Sequence, residues 1–142
     1  MKQNKFSFAV IAILLIAFFT TSWVSPTPAL KKTHITINSE YDFISGIYPF
    51  PGTFTISGAF ETSGTVTMEA DFNTNGTRAH CLYTFYDGTG TIIIREQCVF
   101  ATPTQGIGRW EIVSGTGAYK NLRGNGSALM PDIRELWEGF IY

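Results

Sequence analysis

Two side chains that could do chemistry face each other across one glycine-bearing turn: Tyr83 and Glu96, in the segment "CLYTFYDGTGTIIIREQC" from Cys81 to Cys98. If Thr89-Gly90 forms a two-residue hairpin turn, Tyr83 falls opposite Glu96 and Cys81 opposite Cys98. Phe85, Ile92, Ile94 and Phe100 then share that face. A carboxylate on an otherwise apolar face is costly to bury alone, so Glu96 there must be paired, protonated or close to an open mouth. An acid with a raised pKa beside a tyrosine hydroxyl can hydrogen-bond, or give a proton to, a carbonyl or enol of a ligand. A register slipped by one residue gives the other outcome, with Arg95 and Gln97 inward and Glu96 wet. Arg123 is the third candidate, because its fork matches either the Glu96 carboxylate or one on a ligand; a solvated surface arginine is the plain alternative.

The same register makes a Cys81–Cys98 cross-strand disulfide a candidate. Two buried free thiols, or an incomplete zinc site with His80, are the alternatives, the latter short of the four ligands zinc takes. His34 and His80 fall at polar strand ends. Other chemistries find no footing. The stretch "GTGAYKNLRG" from Gly115 to Gly124 has no glycine three residues after Gly117 and no Gly-Lys-Ser/Thr, and a strand follows it where a phosphate loop needs a helix. The nucleophile-elbow and His-Glu-x-x-His patterns are missing as well. No cofactor and no metal are expected.

The elements that must position these residues read as strands. All fourteen glycines follow residue 45, threonine is abundant, and no window beyond the N-terminus repeats apolar residues with a helical period. Eight runs rich in Thr, Val, Ile, Phe and Tyr are expected as strands, at about Thr33–Glu40, Gly52–Phe60, Gly64–Asp71, Thr77–Tyr86, Thr91–Ala101, Ile107–Ser114, Gly124–Met130 and Leu136–Tyr142. Alternation places Phe54, Ile56 and Phe60, then Val66, Met68, Ala70 and Phe72, on one dry face. The short links "ETSG", "NTNG" and "DGTG" favour sequential hairpins. The fold class is therefore all-β, a single eight-stranded antiparallel up-and-down barrel, whose interior is filled or just wide enough for one small ligand. Trp110, Trp137, Phe140 and Tyr142 read as core or subunit contact.

The first residues obey different physics. Lys2 and Lys5 precede the uncharged apolar run Phe6–Phe19, and a proline-broken exit reaches Ala29, so residues 1–29 read as a signal peptide. The alternative is an uncleaved anchor through residues 6–24, the one expected contact with a membrane. Residues 30–142 form one domain, expected to be secreted, periplasmic or otherwise extracellular. That part carries eight Lys and Arg against eleven Asp and Glu, a net charge of −3, which argues against a nucleic-acid partner.

The stretch "VSGTGAYKNLRGNGSALM" resembles the C-terminal signature of dirigent proteins and of bacterial exported proteins related to the allene oxide cyclase barrel. Gly115, Thr116, Gly117, Tyr119, Arg123 and Gly124 carry the likeness. Ala118 and Lys120 stand where many dirigent proteins have an acid. The resemblance implies an eight-stranded barrel, often a trimer, with a pocket at one end for a hydrophobic or phenolic small molecule. An isomerase or cyclase using Glu96, Tyr83 and Arg123, and a purely structural envelope protein with a filled barrel, are the rival expectations.

Overall fold

A computed structural model describes residues Leu30–Tyr142, and the signal or anchor read at residues 1–29 lies outside the described residues. The strands are β1 (Thr33–Tyr41), β2 (Phe50–Gly58), β3 (Thr62–Phe72), β4 (Arg78–Tyr86), β5 (Thr91–Thr102), β6 (Gln105–Gly115), β7 (Gly124–Met130) and β8 (Arg134–Ile141). Each pairs antiparallel with its neighbours in sequence, and β8 returns to β1, so the sheet closes. The expected all-β, eight-stranded up-and-down barrel is what forms.

Period-two patterning explains the closure. In β4 the side chains of Ala79, Cys81, Tyr83 and Phe85 are buried while their neighbours are exposed or partly so, and β5 repeats this with Ile92, Ile94, Glu96 and Cys98. Successive strands thus each turn one apolar face inward, and a sheet joined edge to edge buries all those faces at once. Ile35, Ile37, Ile56, Val66, Phe85, Ile94 and Trp137 fill the interior.

The glycine-rich corner plugs one end. A single 3-10 turn, Gly117–Tyr119, follows β6. Gly117 has φ +55°, and a Cβ there would overlap the Thr89 carbonyl of the β4–β5 hairpin. Gly115 has no positive φ; it is small because a Cβ would overlap the Tyr119 carbonyl. The Thr116 hydroxyl accepts the Thr91 amide at 3.0 Å. Tyr119 stacks near Phe60, ring centres 5.6 Å apart, and its hydroxyl donates to Asp87. That bond is the first cause holding the Asp87 carboxyl well below its usual range. Arg123 and Tyr142 exchange both backbone hydrogen bonds, tying the corner to the C-terminus.

Two face assignments need correction. Phe72 is 51% exposed, since β3 runs past the barrel rim there, and Phe60 lies beyond β2 in the turn that packs on the corner. Trp110 and Trp137 are core, whereas Phe140 and Tyr142 point outward.

Gly117→Ala is expected to cost about 2 kcal/mol or more in urea unfolding, because a left-handed φ and a backbone collision act together. Gly76→Ala, with φ +68° but nothing within 4 Å of the added carbon, should cost about 1 kcal/mol.

Candidate functional site

The interior half that faces away from the corner is built for polar side chains. Inward positions on β6 are glycines at Gly106 and Gly108, and a Cβ at Gly108 would overlap the Glu96 carboxyl. Phe100 leans over Gly106 in the same way, 2.9 Å from where its Cβ would stand. Glu96 enters the space left by Gly108 and is 1% exposed. The one-residue slip that would have left it wet does not occur.

The β4–β5 register is shifted by two residues from the expected one. Tyr86 pairs with Thr91, leaving a four-residue connection, so Cys81 stands opposite Glu96, Cys98 opposite Ala79, and Tyr83 opposite Ile94. A two-residue shift keeps every side chain on its face. Tyr83 therefore still reaches Glu96 diagonally, its hydroxyl donating to Glu96 Oε2 at 2.8 Å. The expected disulfide is corrected: Cys81 and Cys98 are free, buried and diagonal, with their sulfurs 3.7 Å apart.

The second acid is Glu135, which the sequence reading left just outside the last strand. It is also 1% exposed, on β8 opposite Ser39. Its inward direction follows from alternation with Trp137, Gly139 and Ile141. Ser39 accepts from the Tyr41 hydroxyl at 2.9 Å and from Trp137 Nε1 at 3.1 Å. Trp137 in turn meets the Tyr83 ring edge-on, centres 4.6 Å apart.

Two carboxyls thus share one apolar interior, and among the described residues no Lys, Arg or His is buried with them. Glu96 Oε1 and Glu135 Oε2 meet no hydrogen-bond donor. Burial first, then the Glu96 charge, pushes the Glu135 carboxyl well above the ordinary value. Burial raises Glu96 too, partly offset by bonds from its neighbours. The Tyr83 hydroxyl is raised by burial and by both acids. Like charges in a low dielectric do not both ionise, so a proton held between the acids is what the chain itself can supply to the orphaned oxygens.

An aromatic column leads from the acids to the surface. Tyr83 lies 5.9 Å from Tyr41, Tyr41 5.8 Å from Phe43, Phe43 5.1 Å from Phe50, and Phe50 5.4 Å from Tyr48, ring centre to centre. Exposure rises along it from fully buried Tyr83 to 59% at Tyr48. Phe43 and Tyr48 belong to the β1–β2 loop, so the outer part of the column is carried by a loop and not by the barrel wall.

Arg123 does not join the site. Its guanidinium is exposed beside the corner and donates to the Leu122 carbonyl at 3.0 Å. The structure brings Tyr83 and Glu96 together, adds Glu135, and leaves Gly115, Thr116, Gly117, Tyr119 and Gly124 as parts of the corner. His34 and His80 are exposed.

Fold and interior together define a small closed β-barrel with an acid pair inside an aromatic cluster. No family model matches the chain, and no curated protein or solved structure matches it either.

The acid pair makes stability depend on pH in a known direction. Folding holds these carboxyls protonated above the ordinary value of 4.5, so their contribution is complete below that pH and drains away as pH rises through the raised folded-state values. Unfolding free energies from urea titrations should fall from pH 5 toward pH 8, by at most about 1.4 kcal/mol per pH unit for each proton difference. Glu135→Gln should flatten the slope and exceed the wild type in stability at pH 8. An equally steep decline in the variant would place the titrating group elsewhere.

Proposed function

We propose that this chain is an exported β-barrel that binds a small hydrophobic or phenolic molecule at the end of the barrel covered by the β1–β2 loop. The observation that carries this reading is the pair of buried oxygens, Glu96 Oε1 and Glu135 Oε2, without donors, at the inner end of an aromatic column. Two acids inside an apolar core oppose folding, and residues that oppose folding are characteristic of binding and catalytic sites. A phenol fits the vacancy in donors. Its hydroxyl adds a donor to a pair that otherwise has only the Tyr83 hydroxyl and the proton the two acids share, and its ring replaces Phe43 or Phe50, which are half-buried and sit at the loop end of the column. The expected localisation follows from residues 1–29 alone.

A second reading draws on the same pair. One carboxyl protonated beside one ionised is the arrangement that lets a site donate and accept a proton in one turnover, as an isomerase or cyclase would need. Arg123, which was to hold an anionic group in that scheme, is remote, so binding without chemistry is the reading the geometry supports better.

The test is a titration of the full chain with 4-ethylphenol and with ethylbenzene, followed by tryptophan emission, since Trp137 touches Tyr83. Saturable binding of the phenol is expected, weakened about tenfold or more for ethylbenzene and in Glu96→Gln, the loss of one hydrogen bond to a charged group. Absence of binding to either compound by the folded protein would make the acid pair a structural feature of a solid barrel.

A further inference from the structure

The surroundings of the acid pair bear on the charge of whatever binds there. The titratable side chains that face Glu96 and Glu135 inside the barrel are themselves acids: Tyr41 on β1, Cys81 and Tyr83 on β4, and Cys98 on β5. Strands β2, β3, β6 and β7 turn only uncharged residues inward. None of these groups can become a cation, and among the described residues no Lys, Arg or His is buried. Two acids that share one proton keep one negative charge, so the interior holds an anion with no counter-ion of its own. Such a charge is costly to bury unpaired.

Glu96 Oε1 and Glu135 Oε2 are the atoms without a donor, each on a side chain of a residue 1% exposed. An ammonium brings three donors and a positive charge together, so it can meet both oxygens and neutralise the pair. A neutral donor meets only the first demand. The aromatic column suits the same ion, because ring faces attract cations. Its successive ring centres, from Tyr83 through Tyr41 and Phe43 to Phe50, are 5.9, 5.8 and 5.1 Å apart. Those rings also give the apolar body of an organic cation a surface to pack on. Among the described residues no group of three His, Cys, Asp or Glu is placed to hold a metal ion.

We infer that the ligand class of this site is a primary arylalkylamine, its ammonium between Glu96 and Glu135 and its ring in the aromatic column. This rests on the binding site proposed above and narrows what fills it: a ring hydroxyl is optional, the cation is not. A fully protonated pair is neutral and has no charge for the ammonium to meet. Affinity therefore rises with pH as the amine displaces protons from the acids, by up to about tenfold per pH unit for each proton displaced. The ammonium itself stays charged below about pH 10.

Titration of the full chain at pH 7.5 with 2-phenylethylamine and with 2-phenylethanol, an uncharged molecule of the same size, tests this through tryptophan emission. The amine is expected to bind about tenfold tighter or more, and that lead should shrink as the pH falls toward 4.5. In the Glu96→Gln/Glu135→Gln double variant, whose interior carries no charge, the two compounds should bind alike. An amine no tighter than the alcohol, a lead that does not shrink with falling pH, or a lead that persists in the folded double variant would each overturn the inference. Saturable binding of 4-ethylphenol without a preference for the amine would overturn it while leaving the proposed binding site standing. Binding of none of the three compounds by the folded protein would overturn both.

Discussion

A sheet that closes on itself leaves every strand one face with nowhere to go but inside. That constraint governs the rest of this molecule, because each inward position must be filled by something that fits its neighbours and tolerates the absence of water. Near the corner the demand is met by Ile35, Ile56, Phe85 and Ile112, aliphatic and aromatic side chains that need no partners. Toward the β1–β2 loop it is met differently. Small residues at Gly52, Ala79, Gly106 and Gly108 make room, and tyrosines and carboxyls occupy it. The barrel thus has a dry half and a polar half, and the corner seals the dry one.

The acid pair is the cost of that division. A single buried carboxyl can be kept neutral by burial alone, whereas two in contact are coupled: the ionisation of one raises the other. Tyr83 stabilises the ionised form of Glu96 through its 2.8 Å bond, which leaves Glu135 as the acid that most resists losing its proton. Ser39 does not relieve the pair with its acceptor atom, which is already committed to Tyr41 and Trp137. The same network that orients the rings therefore leaves the two acids with no donor beyond Tyr83 and the proton they share, and the proposed ligand is read from that shortage. The cysteines beside Glu96 belong to the same crowded layer, as thiols and not as a bond.

The architecture was legible in the sequence because alternation and turn residues are local signals. The start of β7 was expected at Gly124 and lies there, and the inward face of the β4–β5 hairpin was right even though its register was not. Parity explains this. The turn takes four residues, Asp87–Gly90, with the Asp87 carboxylate held by Thr62, Thr89 and Tyr119, and of those contacts only the one from Thr89 lies within the hairpin itself. The resulting shift of two preserved faces and changed partners, which is why Tyr83 and Glu96 met while Cys81 and Cys98 missed. Glu135 escaped notice because "PDIR" reads as a turn. Only the extension of β8 back to Arg134, paired with Glu40 across the closure, turns it inward. Arg123 was assigned by fork chemistry without a position, and the corner's place at one end of the barrel decides against it.

The central claim is that Glu96 and Glu135 share a proton inside the folded barrel. Carbon-13 NMR of protein labelled at the glutamate carboxyl carbon, titrated from pH 3 to pH 9, observes this directly. The account expects one carboxyl signal to remain at its protonated shift well above the ordinary glutamate range, and to vanish in Glu135→Gln. If every glutamate signal titrated in the ordinary range in a folded protein, the buried pair, and the binding site read from it, would be contradicted.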